Sequence, residues 1–324
     1  MKILVINPRL ADRIRAHLPE DEVVSPKVGT DEELIELARD VEVILAVRLS
    51  PEVAEAASRL KLLQKTGAGV DDLPFDVLGE DVWVANTSGS NPVPLAEGAV
   101  ALVLALAKRV VQRNRGFREG RDSARGVLLK GKKAGILGMG SIGFEVAKRL
   151  KAFEMDILGL VRHPEGGVEG DLEPEFLGGP GDLDHLLRES DFLVVTVPLT
   201  PETRGMLGER EFGLMKPTAY VVNVARAAII QDGPLYRALS EGRLAGAALD
   251  VWWQPHFWDP LWNTEGRDAS EYPLWELPNV ICTPHNIGFV DVSSDAGLKV
   301  MVENVNRIRE GRPPVNQVDK DLRY

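Results

Sequence analysis
Short, nearly continuous apolar runs alternate with longer amphipathic stretches along this chain, and they do so in two series. Residues 2–6, 41–47, 62–66 and 82–85 form the first set of runs. Such runs, rich in Val, Ile and Leu, predict strands buried on both faces of a parallel sheet. An acidic helix is expected near Asp31–Ala38, and a long helix rich in Ala, Leu and Val from about Pro94 to Arg115. The second series comprises 133–137, 156–161, 192–196, 219–223, 245–250 and 280–283, followed by a final helix over Ser293–Arg309. Alternation of this kind predicts an α/β fold, with parallel sheets covered by helices on both faces.

The second series opens on Gly135-Ile136-Leu137-Gly138-Met139-Gly140-Ser141-Ile142-Gly143. The spacing Gly138, Gly140, Gly143, between a strand and a helix, is a dinucleotide-binding turn. Gly138 permits the tight turn, Gly140 lets the backbone approach a pyrophosphate, and Gly143 lets helix and strand pack closely. A helix beginning at Ser141 aims its free N–H groups, those of Ser141 and Ile142 among them, at the phosphates. Because this turn lies mid-chain, the cofactor domain is expected over residues 96–289. Residues 1–95 and 290–324 then form the other domain, and two chain crossings make a hinge and a cleft. The segment 252–272 is irregular and holds Trp252, Trp253, Trp258 and Trp262. A loop of that length in a compact domain is usually functional or a lid.

Composition narrows the partners. The chain has 324 residues, enough for about two domains. A net charge of −11 argues against a nucleic-acid partner, and no basic tract suggests an anionic membrane surface. No run approaches the roughly 18 apolar residues of a membrane helix. The N-terminal apolar run is too short for a signal peptide. The single Cys282 leaves no internal disulfide and no CxxC metal site. A cytoplasmic setting and no metal are therefore expected.

Several short islands occur in one order: Gly67-Ala68-Gly69-Val70-Asp71; Asn86-Thr87 with Ala96-Glu97; Gly138–Gly143; Val197-Pro198-Leu199-Thr200-Pro201-Glu202-Thr203; Asn223-Val224-Ala225-Arg226-Ala227; Ala248-Leu249-Asp250-Val251; and Thr283-Pro284-His285. Together they resemble the D-isomer-specific 2-hydroxyacid dehydrogenase family, over nearly the whole chain. That family includes glyoxylate/hydroxypyruvate reductases, phosphoglycerate dehydrogenases and formate dehydrogenases. The resemblance implies two Rossmann-like domains, with 1–95 and 290–324 as the substrate domain, and a homodimer joined through the cofactor domain. It implies hydride transfer between a nicotinamide cofactor and a small 2-oxo or D-2-hydroxy acid. The chain ends soon after the last helix, which leaves no room for the regulatory domain of long phosphoglycerate dehydrogenases. Glyoxylate and hydroxypyruvate are thus the default substrates, and the tryptophan-rich loop leaves a bulkier apolar 2-oxo acid open.

Reducing a 2-oxo acid needs a proton donor at the carbonyl oxygen and a cation for the carboxylate. His285 is the best proton-transfer candidate, since its ordinary pKa lies near neutrality and it follows a strand end. By resemblance Arg226 is the catalytic arginine, offering a planar fork to a carboxylate. Ala227 replaces the glycine usual after it. Ala68 and Gly69 would give backbone N–H groups to the substrate carboxylate. Asp250 would bond the nicotinamide amide, Val197, Pro198 and Thr203 would flank the adenosine, and Val224 would line the cofactor site. The family's glutamate partner of the catalytic histidine is absent, and Gln254 best matches its position. A glutamine orients an imidazole without supplying charge, which predicts a lowered histidine pKa. Asp259, Glu265 or Glu271 is the alternative source of that charge. Formate dehydrogenases also carry glutamine there, so oxidation of a small anion is a second reading. A non-catalytic NAD(H)-sensing protein is a third. NAD enzymes place an acid roughly 20 residues past the last glycine. Here Val161 takes that place and is followed by Arg162 and His163, which favours NADP over NAD.

Overall fold
The computed structural model describes residues 1–121, 125–168, 172–253, 270–290 and 293–324. They fall into two compact units, Met1–Asn91 with Asp291–Tyr324, and Pro92–Val290. The first unit is built from β1 (Lys2–Val5), α1 (Pro8–His17), β2 (Glu22–Val24), α2 (Asp31–Ala38), β3 (Val43–Ala46), α3 (Pro51–Ala56), β4 (Leu62–Lys65) and β5 (Trp83–Ala85). Its sheet is parallel, in the order β2-β1-β3-β4-β5. Local chemistry sets the helix starts. Asn7 accepts the Arg9 and Leu10 amides ahead of Pro8. Thr30 caps α2, whose first turn holds Asp31, Glu32 and Glu33 against the positive helix end.

The second unit contains α4 (Pro92–Ala107), α5 (Val110–Arg118), β6 (Lys133–Leu137), α6 (Ser141–Lys151), β7 (Asp156–Leu160), β8 (Phe176–Gly178), α7 (Leu183–Glu189), β9 (Phe192–Val195), α8 (Glu209–Leu214), β10 (Tyr220–Asn223), α9 (Asp232–Ser240), β11 (Gly246–Leu249) and β12 (Val280–Cys282). Its parallel sheet runs β12-β11-β10-β9-β6-β7-β8. Strand residues feed two cores by turns. Leu193, Val195, Val221, Ala247 and Leu249 enter one core, and Val194, Val222 and Ala248 enter the other, under α4 and α6. Full burial of one such valine or leucine contributes about 1.5–3 kcal/mol. The last helix, α10 (Ser293–Arg309), returns to the first unit, where Leu298, Met301 and Val305 join Ile3, Val5 and Leu62. Asn304, fully buried, donates to Gln64 Oε1 at 2.6 Å and to the Val315 carbonyl at 3.1 Å, and accepts the Val315 amide at 2.7 Å.

Three expectations are corrected. The long helix over 94–115 is two helices: Arg109 takes a left-handed conformation (φ 52°), and the Lys108 ammonium donates to the Val127 carbonyl at 2.8 Å. The chain thus doubles back on the end of α4, and the continuous helical pattern breaks there. The edge strands β2 and β8 were not foreseen, because neither is buried on both faces. Most of the foreseen strands are one or two residues shorter than expected, and where a carboxyl-end residue is lost it begins the following loop. Among the described residues, no helix is long and apolar enough to cross a membrane.

Candidate active site
Because the sheet of the second unit is parallel, all its strands end along one edge. Gly138, Arg162, Val197, Arg226, Asp250 and His285 follow the ends of β6, β7, β9, β10, β11 and β12. The chain order reverses between β6 and β9, which is where open α/β sheets bind ligands.

At that switch point the glycine turn is held from three sides. Gly138 has φ 103°, and a Cβ there would stand 2.7 Å from the Val197 amide nitrogen. The Gly138 and Met139 amides donate to the Leu160 carbonyl at 3.2 and 2.8 Å, and the Thr196 hydroxyl donates to the Gly138 carbonyl at 2.7 Å. A Cβ on Gly143 would fall on that same carbonyl oxygen, so helix and turn touch through bare backbone. Gly140 differs: a Cβ there meets nothing within 4 Å, and it begins α6 without a side-chain cap. The exposed Gly140 and Ser141 and the half-buried Ile142 therefore open the helix N-terminus to an anion. This cradle fits the pyrophosphate of a dinucleotide.

The loop after β9 is self-braced. The Thr203 hydroxyl donates to the Pro198 carbonyl at 2.7 Å and accepts the Thr200 amide at 2.8 Å. Thr203 thus shapes the loop carrying Val197 and Pro198. Glu202 is held below the usual carboxylate range, first by the Thr200 hydroxyl and in smaller part by the Arg162 charge. Arg162 therefore acts across this loop. His163 is exposed, with Nδ1 3.3 Å from Glu165. Val161 is half-buried and its amide donates to the Gly178 carbonyl at 3.0 Å.

After β10 the fully buried Asn223 donates to the Arg226 carbonyl and accepts the Ala225 amide, both at 3.0 Å. Arg226 is extended and half-buried, with Nη1 3.0 Å from the Ala225 carbonyl oxygen. A single 3-10 turn, Ala227–Ile229, follows it ahead of α9, and Ala227 is buried there. Val224 is buried in the core under α4 and α6.

At the end of the adjacent strand, β11, Asp250 is 1% exposed. It accepts the Thr283 hydroxyl at 2.6 Å and the Ile287 amide at 3.3 and 3.4 Å. Burial pushes its pKa up against those bonds. Both oxygens thus engage the loop around His285. The Trp252 indole donates to the Thr283 carbonyl at 3.0 Å, on the same loop. His285 itself is left-handed, with φ 51°. Burial first, and the Arg226 charge second, push its pKa down to about 3. Gln254, Asp259 and Glu265 lie outside the described residues. Glu271 lines a surface groove with Trp253 and Tyr272.

In the first unit, Ala68 and Gly69 follow β4. The Asn86 side chain donates to the Ala68 carbonyl at 2.8 Å, and the Thr87 amide donates to the Gly67 carbonyl at 3.1 Å. Both anchors are buried, which fixes the loop. Sequence reasoning gave no role to Thr196, Asn223, Trp252 or Thr283. For three of them a signal was present, a polar residue directly at the carboxyl end of an apolar strand.

Fold and edge together define a two-unit α/β protein with a dinucleotide cradle at its sheet switch point. The chain belongs to the D-isomer specific 2-hydroxyacid dehydrogenase family, whose NAD binding domain matches residues 100–286. It is 34% identical to glyoxylate reductase of Thermococcus gammatolerans, over 96% of this chain and 92% of that one. It is 32% identical to D-3-phosphoglycerate dehydrogenase of Methanocaldococcus jannaschii, over 98% of this chain, but spans only 59% of that relative's length. A solved structure, the NADPH-dependent glyoxylate/hydroxypyruvate reductase of Sinorhizobium meliloti with NADP and malonate, superposes with a TM-score of 0.79. That match has 25% identity and covers 99% of this chain and 97% of the other.

Proposed function
We propose that this protein is an NAD(P)-dependent oxidoreductase acting between a small 2-oxo acid and its D-2-hydroxy acid, in the manner of glyoxylate/hydroxypyruvate reductases. One observation carries the reading: Arg226 and His285 follow β10 and β12 of one sheet, close enough for the arginine to depress the histidine pKa. A carboxylate cation and a proton carrier on the edge that also bears the glycine turn are the parts carbonyl reduction needs. When bound, the nicotinamide supplies or accepts the hydride. Gly138, Gly140, Ser141, Ile142 and Gly143 hold its pyrophosphate, with Val197, Pro198 and Val224 beside it. Arg226 holds the substrate carboxylate through its planar fork. The Ala68 and Gly69 amides offer further donors to an anionic group. His285 delivers a proton to the carbonyl oxygen in reduction and removes it in oxidation.

For the cofactor we propose NADP over NAD. No carboxylate stands at Val161 to repel a 2′-phosphate, and Arg162 follows it. The S. meliloti relative binds NADP. We also propose a homodimer in a cytoplasmic setting. None of the residues of α5 is buried, and Phe117 is 86% exposed beside the exposed Val110 and Val111. Three exposed apolar side chains on one such helix offer a surface to a second copy. Light scattering should give twice the 35.5 kDa chain mass, and Phe117→Asp should reduce it to the monomer.

The deciding assay follows NADPH and NADH consumption with glyoxylate, hydroxypyruvate and a bulky 2-oxo acid in parallel. Turnover is expected, faster with NADPH, and Arg162→Ala should lower kcat/KM for NADPH by about tenfold, the loss of one charge-assisted bond. Turnover with NADH alone removes the cofactor preference and keeps the enzyme. Cofactor binding without turnover of any 2-oxo acid overturns the reductase reading in favour of formate-type oxidation or a sensor.

A further inference from the structure
Gly98 interrupts α4, a helix otherwise built largely from Ala, Leu and Val. After proline, glycine is the poorest helix former, and its presence here has a steric cause. A Cβ on Gly98 would stand 2.6 Å from both the Cγ1 and the carbonyl oxygen of Ile287. That is about 1 Å inside ordinary contact distance. The neighbouring Gly288 rests on Leu95, where a Cβ would meet Leu95 Cδ1 at 3.1 Å. So the loop after β12 lies directly on the bare backbone of α4. Its other attachments are polar: Asp250 takes the Thr283 hydroxyl and the Ile287 amide, and Trp252 holds the Thr283 carbonyl. His285 stands between these attachments in a left-handed conformation, which a non-glycine residue keeps only where its surroundings over-determine it.

We infer that Gly98 is a positioning residue: the uncovered backbone of α4 is the stop against which the 283–288 loop is pressed, and it sets where the His285 imidazole stands. The consequence for rate rests on the reductase reading above; the placement of the ring does not. With a stop one carbon thicker, Ile287 retreats from α4 and carries the imidazole with it. A misplacement of about 1 Å is enough to lower a rate about 100-fold.

The test uses the full chain labelled with 13C at histidine. The signal of His285 among the five histidines is the one missing in His285→Gln. In Gly98→Ala that signal should shift while the other four stay, and kcat for 2-oxo acid reduction should fall about 100-fold with cofactor affinity unchanged. Ile287→Ala opens the same contact from the loop side without thickening the helix. It should also shift the His285 signal, and it decides the matter if Gly98→Ala does not fold. An unmoved His285 signal in the folded variants overturns the inference, whatever the activity. A wild-type protein that reduces no 2-oxo acid overturns the reductase reading instead, and the spectra still decide the position of the ring.

Discussion
His285→Gln should lower the rate of 2-oxo acid reduction by about 10²–10⁴-fold, the usual contribution of a positioned acid or base. Cofactor binding should persist, because the glycine turn and its braces lie on other strands. The pH profile gives the assignment its signature. With its pKa pushed down to about 3 by burial and then by Arg226, the ring is neutral near pH 7 in the free protein. Reduction needs the protonated ring, so kcat/KM for reduction should climb as the pH is lowered from about 8 to 5, at up to tenfold per unit for one required proton. Oxidation needs the neutral ring and should stay level over the same range. His285→Gln should erase this contrast. Gln254→Glu should move the reductive limb to higher pH by adding a negative charge; a profile equal to that of the wild type removes Gln254 from the site. Stability runs the other way with pH. The folded pKa lies below the unfolded value of 6.5, so the unfolded chain binds more protons between about 3 and 6.5. The contribution of the neutral ring is complete above that window and declines as the pH falls through it. Melting of His285→Gln should therefore depend less on pH there than melting of the wild type.

Arg226→Gln should lower kcat/KM by about 10²–10³-fold, as expected when one preorganised donor to a developing charge is lost. The same change should move the pH midpoint of His285 upward, because the guanidinium is a cause of its depression. Rate and midpoint thus move in opposite directions, which a simple loss of folded protein does not produce. Arg226→Lys should restore the charge and the low midpoint but recover only part of the rate, since an ammonium cannot present a planar fork. Buried Asn223 should hold the turn in all three proteins.

The sequence carried the plan of this molecule further than its details. Buried parallel strands announce themselves as apolar runs, and Gly138 and Gly143 each have a steric reason to stand in the turn, so both were legible. The carboxyl-end placement of Arg226, Asp250 and His285 followed from the strand runs before them. What escaped was set by contacts between distant segments. Nothing local to Thr283 says that Asp250 will accept its hydroxyl. Ala107, Lys108 and Arg109 are good helix formers, and the break there goes with the return of Val127. Gly98 reads in sequence as a weak point of a helix, and only Ile287 explains it. The role expected of Asp250 toward a nicotinamide amide omitted the loop its oxygens already hold.

The return of α10 to the first unit has a consequence for synthesis on the ribosome. Ile3, Val5 and Leu62 face a helix that emerges only after the whole of 92–290. At 5–20 residues per second, those roughly 200 residues take about 10–40 s to appear. During that interval Gln64, fully buried in the finished protein, lacks Asn304, and the part of the apolar sheet face that α10 covers stands open. The middle of the chain can complete its own core first, while the amino-terminal segment waits for α10.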